Sequence, residues 1–440
     1  MNNSSMYDRD LAGGVPYPST ERYNYDSWFT TTGLTDGSEY KTIRFNIRQD
    51  NLLLHFTNAY LEVHGQLVQK AEGNADMPAG AEIALIHNAI PFLFDNIKFT
   101  MGNQLVENVN CPGHVSSMLF DVLFPRSKAK VQGLEFMWYP DTDKSASTEN
   151  NYGFAARQNW IIDQPTKRGS FKLRLPLYML FGFAENFLAL KGYSYEIEMV
   201  RGPDYPALFK SATAPEGKFK FESFILNIPV IEPSNSVLLE SLKGLKDPKP
   251  YLYSFRQRHG MFAPVPPNIY DYQLTFTTGN FSERPQMVFV GFQLAQTKDQ
   301  KFNHALYSHE DVETMYIKMN NHQYPGTLTK ADWGQADSGF FYEMQQHCRA
   351  NYLQYPARFT EGNMLSPANF KNLYTIYCFD VTKGDYALGG NSIVSSLHVH
   401  FKTVTKANLL VYVAWYSDRT IELFTDGKPL HIKTQSDSYK

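Results

Sequence analysis

His398 and His400, in the run LHVHF, stand two residues apart, so on a strand both point to one side and could share a metal ion. No third ligand of matching pattern lies near them, and a solvent-facing or interface pair accounts for them. Asp141, Asp143 and Glu149, in YPDTDKSASTEN, offer carboxylates for calcium but lack the full set of spaced ligands, and a solvated loop explains them. Ser338, in QADSGFF, lacks the glycines two residues before and two after it that a nucleophile turn carries, and reads as a loop or helix-cap serine. His347 and Cys348 are adjacent, which on a helix sends them to different faces, so a base and its nucleophile would not meet. There is no glycine-rich phosphate loop and no H-E-x-x-H. The expectation is a chain with no catalytic residues, no cofactor and no metal.

The elements that would carry such side chains are almost all strands. Ile43, Phe45 and Ile47 alternate with Arg44, Asn46 and Arg48, the period of a strand with one dry face and one wet face. The same alternation returns at Leu61 and Val63, at Phe171, Leu173 and Leu175, at Tyr195, Ile197 and Met199, and at Leu397, Val399 and Phe401. MVFV, at 287–290, is apolar throughout and predicts a strand covered on both faces. Aromatic residues make up 15% of the chain, which suits pleated surfaces on which flat rings pack.

The phrase NIKFTMGNQLVENV at 96–109 has a counterpart in YIKMNNHQYPGTL at 316–328, offset by 317 − 97 = 220 at the isoleucines. Its surroundings repeat too. Each hairpin is followed by a helix-spaced stretch, Val115, Met118, Leu119 and Val122 in one half and Phe341, Met344, Cys348 and Tyr352 in the other. A long polar segment then precedes another alternating strand in each half. Two antiparallel domains of about eight strands each are best closed as two consecutive jelly-roll sandwiches, an all-β fold with short inserted helices. The expected division is an arm at 1–37, a first roll at 38–231, a linker at 232–250 with one short helix capped by Ser234 or Asn235, a second roll at 251–426 and a polar tail at 427–440.

The formal charge of −3 and the absence of any dense Lys/Arg run argue against general nucleic-acid binding. The arm sets Arg9 and Arg22 against Asp8, Asp10, Glu21, Asp26 and Asp36, so 2 − 5 = −3, and cannot condense DNA. Cys111, Cys348 and Cys378 are too few and too scattered for a disulfide framework and read as reduced thiols. No leader-like apolar core opens the sequence and no apolar run is long enough to span a bilayer, so a soluble protein is expected.

Together the stretches RFNIRQDNLLLHFTNAYLEVHGQL, FLFDNIKFTMGNQLVE, RLPLYMLFGF, YIKMNNHQYPG and CFDVTKGD resemble the double jelly-roll major capsid proteins of eukaryotic DNA viruses and virus-like transposons, the Polinton/Maverick and adintovirus group in particular. The resemblance spans roughly residues 40–424, and the insertions between strands are shorter than the tower loops of many relatives. It implies a structural subunit that forms pseudo-hexagonal homotrimers and then an icosahedral shell. Penton and minor capsid proteins would be partners. Residence would be in the virion, after synthesis in the host cytoplasm and with the nucleus as one place of assembly. A lectin-like pair of sandwiches is the competing expectation, and a cupin-like enzyme would need a His/Glu set on facing strands that the sequence does not supply. Under the capsid reading, aromatic residues in the arm and long loops would hold subunits together: Tyr17, Tyr23, Tyr25, Phe136, Trp138, Tyr139, Phe340 and Tyr355.

Overall fold

The computed structural model describes residues 20–29, 41–48, 53–71, 73–125, 133, 135–162, 167–185, 189–190, 193–233, 251–276, 283–295, 299–319, 322–334, 339–353, 365–382, 396–403, 408–423 and 431–433. The first half holds β1 (Thr20–Phe29), β2 (Thr42–Arg48), β3 (Leu53–His55), β4 (Tyr60–Gln69), β5 (Ile83–Leu85), β6 (Phe94–Met101), β7 (Gln104–Asn110), helices α1 (Pro112–Leu123) and α2 (Tyr152–Ile162), then β8 (Ser170–Pro176), β9 (Ala189–Leu190), β10 (Ser194–Arg201), β11 (Leu208–Lys210) and β12 (Gly217–Pro233). The second holds β13 (Tyr251–Val265), β14 (Asp271–Phe276), β15 (Pro285–Leu294), β16 (Val312–Met319), β17 (His322–Tyr324), helices α3 (Gly339–Leu353) and α4 (Pro367–Asn372), then β18 (Ile376–Asp380), β19 (Leu397–Thr403), β20 (Leu409–Leu423) and β21 (His431–Lys433).

The eight main strands of the two halves repeat in order. One sheet of the first half runs β2-β10-β6-β7, and its counterpart runs β14-β19-β16-β17. The other has β8, β4 and β12 in order with β1 on the far edge of β12, and its counterpart runs β18-β15-β20-β13. Every ladder is antiparallel, and the inward alternates of each facing pair close a sandwich core. In β2 the pattern is as the sequence dictates, with Ile43, Phe45 and Ile47 at 1% exposure or less and Arg44, Asn46 and Arg48 outside. Each such side chain contributes about 1.5–3 kcal/mol on burial.

The repeat corrects the alignment of the hairpins in detail. They close at Met101↔Gln104 and Met319↔His322, so counting back from the turn sets Phe99, not Ile97, in the place of Ile317. A bulge between Phe99 and Thr100 displaces the pairing. The shift is by two residues, so all three side chains still face a core, and the phrase survives in the sequence.

Part of the supposed arm belongs to the first roll. Thr20–Phe29 pairs along β12 as β1, with Tyr23 opposite Ile231 and Tyr25 opposite Pro229, the position that β13 takes on β20. Within the region read as a polar tail, His431–Lys433 adds β21 to the edge of β20 beyond the reach of β15. The helix expected in the linker lies outside the described residues, as do Tyr17, Tyr355 and Ser338.

MVFV is covered on both faces. In the sheet β13-β20-β15-β18, Val288, Val290, Val411 and Val413 face the second core, while Met287, Phe289, Tyr412 and Ala414 face the first roll. The cover is mainly α1, which packs on β13, β15 and β20. Pro112 suits the first helical turn, where its missing N–H is no loss, and the whole of α1 is buried. Its polar members are therefore partnered: Asp121 with His87 at 2.9 Å, Ser116 and Ser117 with the Asn88 amide, and His114 with the Tyr307 hydroxyl at 3.0 Å.

Candidate assembly surfaces and the seam between the rolls

The seam between the rolls is built from residues distant in sequence. Glu107, fully buried on β7, accepts backbone N–H bonds at 3.0 Å from Gly182 and Phe183 of its own roll and from Arg258 of β13. Burial pushes its carboxyl pKa up, while the Arg258 charge and these N–H groups pull the other way. Gly182 has to be glycine here, because a Cβ would come within 1.7 Å of the Arg256 carbonyl oxygen. Gly260 likewise lets β13 approach the Asn110 carbonyl and Val115 of α1. The His114 ring stacks on Tyr412 with centroids 3.5 Å apart, and burial, with a smaller contribution from His304, holds its pKa well below the ordinary range.

A second node is Asp141. Its carboxylate accepts from Arg157 Nη2 at 2.7 Å, Asn151 Nδ2 at 2.8 Å and, across the seam, Asn303 Nδ2 at 3.0 Å. Its backbone N–H donates to the Tyr374 hydroxyl of the second roll. Arg157 donates also to the carbonyls of Leu85 and Tyr139. Glu185 makes a third node, accepting from Arg258 at 3.3 Å and from the Tyr352 hydroxyl of α3 at 2.6 Å. These bonds fix the two rolls as one block.

The side chains singled out for chemistry do not assemble into a reactive site. Asp141 points inward to Arg157, and Asp143 is occupied by the Ser145 N–H at 2.8 Å. Among the described residues no three His, Cys, Asp or Glu are grouped to hold a metal. The half-exposed His398 ring bonds Gln273, Thr275 and Ser396, and His400 stacks on Tyr316. Cys348 is buried and its thiol pKa is pushed up by desolvation, while His347 is exposed beside Asn351. All three cysteines are free.

Of the residues expected at intersubunit contacts, Phe136 and Trp138 are corrected: both have 0% exposure and lie in the first core, with Trp138 packed on His87 and Phe124. The segment read as a long polar loop contains α2, and its Phe136 and Trp138 rings join the first core beside His87 and Phe124. Tyr139 is half-buried, and burial raises its phenol pKa. Phe340 is half-buried on α3. Sequence reasoning missed the large apolar side chains left exposed among the described residues: Leu105, Tyr152, Leu252, Phe262, Tyr270 and Leu328. Leu252 and Phe262 lie on β13, an edge strand, and Leu105 lies on β7, the edge of the other sheet of the first roll, and no alternation had been read at either. Tryptophan supplies no sugar-binding platform: Trp138, Trp333 and Trp415 are buried and Trp28 and Trp160 are half-buried. No helix among the described residues is long and apolar enough to cross a membrane.

Two jelly rolls in tandem, locked by a buried polar seam, define a double jelly-roll protein. The chain matches the double jelly roll-like domain family over residues 143–421, and it belongs to that family. No curated protein matches it. Among solved structures it is similar to a chain in the structure of the Sputnik virophage, with 11% identity and a TM-score of 0.62 over 96% of this chain and 91% of that one. The Faustovirus major capsid protein gives 10% identity and a TM-score of 0.56 over 94% and 92%, and the mavirus major capsid protein 10% and 0.51 over 97% and 93%. At these identities the likeness is one of fold.

Proposed function

We propose that the protein is a major capsid subunit with a structural and non-enzymatic role, which associates as pseudo-hexagonal trimers and builds an icosahedral shell. The observation that carries this reading is the doubling of the eight main strands within one seamed chain, over nearly the whole length of the Faustovirus and mavirus major capsid proteins. A wedge with two like units is one third of a sixfold outline, and three copies complete it. The lectin-like reading gains no support from the buried and half-buried tryptophans. The partners are further copies of itself, then penton and minor capsid proteins, with no tight binding to duplex DNA, and the place is the virion. Sedimentation and negative-stain imaging of the purified protein test this: trimers of hexagonal outline are expected, and a monomer at all concentrations would overturn it.

A further inference from the structure

The stretch 299–308, between β15 and β16, straps the second roll to the first. Gln300 donates through Nε2 to the Gly217 carbonyl at 2.6 Å and accepts from the Gly217 N–H at 2.9 Å, while its own carbonyl takes the Lys210 N–H at 2.9 Å. Further along, Asn303 reaches Asp141 and the Tyr307 hydroxyl meets the His114 ring. Within the second roll the strap is held separately, by Gln293 on the carbonyls of His304 and Leu306 and by the Tyr307 N–H on the Leu373 carbonyl. It can therefore leave the first roll without coming apart itself.

Two buried imidazoles meet at this strap from opposite rolls. His114, on α1, stacks on Tyr412 and meets the Phe92 ring edge-on at 5.0 Å. His304, on the strap, lies 5.5 Å from the Tyr205 ring of the first roll and 5.0 Å from Phe302, and its buried Nε2 has no hydrogen-bond partner. The two rings are close enough for a charge on His304 to oppose one on His114. The ionisable groups facing them are the phenols of Tyr205, Tyr307 and Tyr412 and the thiol of Cys111, none of which is an anion in acid. The carboxylates beyond these have partners of their own: Asp121 has His87, Asp141 has Arg157, Asp204 has Arg201, and the Arg201 charge acts also on Asp95. A proton on either ring would thus be a buried charge without a counter-ion, and protons on both would repel across the seam.

We infer that His114 and His304 form an acid-operated latch between the rolls, whose protonation frees the strap 299–308 from α1 and from residues 210–217 while each sandwich stays folded. Burial holds His304 down to about 4, and burial with the His304 charge holds His114 well below its ordinary 6.5. The open form, with both rings in water, binds more protons, so the latch is closed above pH 6.5 and weakens as the pH falls toward 4. Each ring that gains its proton only on opening multiplies the open population by about ten per pH unit, so the pair gives roughly 10³-fold between pH 6.5 and 4.5.

The test is hydrogen exchange of the full-length protein at pH 6.5 and 4.5, corrected for the intrinsic pH dependence of exchange. Peptides covering 208–217 and 299–308 should lose protection by up to roughly 10³-fold, while β10 and β19 keep theirs. His55 and His259, which burial holds down to about 4 and about 3, each lie within one roll, so acid acting through them would register in the sandwich strands as well. In the His114→Gln/His304→Gln chain the seam peptides should lose less than about tenfold over the same range. Seam protection indifferent to pH, loss in step with β10 and β19, or an unchanged slope in the double variant would overturn the inference. Should the double variant fail to fold, either single substitution should halve the slope on a logarithmic scale, and an unchanged slope in both would overturn it equally.

Discussion

Replacing Asp141 by Asn keeps the shape of the side chain and removes the charge that faces Arg157 at 2.7 Å. Both side chains have 0% exposure, so the guanidinium would stay buried without its counter-ion. Breaking a buried pair in this way costs about 3–5 kcal/mol. At about 1.4 kcal/mol per tenfold, that is a factor of roughly 10² to 10⁴ in the equilibrium population of opened chains. Arg157→Met should cost as much from the other side. The doubly substituted Asp141→Asn/Arg157→Met chain has no orphaned charge and loses hydrogen bonds worth about 1 kcal/mol each, so it should be no less stable than either single variant. Urea unfolding followed by far-UV dichroism and by tryptophan fluorescence measures this, with coincidence of the two probes checking that the rolls unfold together. Additive costs in the double variant, or a loss below about 1 kcal/mol in Asp141→Asn, would refute the claim that this node bears charge for the seam.

Trp138→Ser should unfold the first roll, at a cost of about 3–5 kcal/mol, and not merely weaken association, as a thermal melt of dilute protein would reveal. Gly182→Ala should force β13 away from residues 182–184 and lower the melting temperature by several degrees, whereas Gly339→Ala, with open space around it and no left-handed backbone, should lose far less. Burial alone would raise the pKa of Glu62, but hydrogen bonds from Lys172, Arg174 and His64 outweigh it and hold the carboxyl at about 2. A depressed carboxyl pKa stabilises the fold above the usual value and loses that contribution as pH falls from 4.5 toward about 2. The melting-temperature gap between the parent and Glu62→Gln should therefore be widest above pH 4.5 and close on acidification; a gap independent of pH would count against it.

Strands were legible because burial writes a period of two, as in TIRFNIR, and MVFV announced a doubly covered strand because neither face has a polar alternate. The doubling was legible for the same reason, through the order of elements. The seam was not, since the partners of Asp141 at Asn303 and Tyr374, and of Glu107 at Arg258, lie over a hundred residues away and their types are ordinary surface types. Phe136 and Trp138 misled because the segment around them lacks a helical or strand period, and an aperiodic aromatic run looks like an exposed loop until its neighbours are placed.

The doubly covered sheet of the second roll gives the chain a direction. Expressed alone, that roll would present Met287, Phe289, Tyr412 and Ala414 to water, a surface apt to stick to any apolar neighbour. During synthesis the amino-terminal half emerges first, and α1 is already in place when β15 and β20 leave the ribosome. The lid is made before the surface it must cover. Exchanging the order of the halves, with every contact kept, would put the sticky sheet into a crowded cell ahead of its lid, so two like halves are not interchangeable in order.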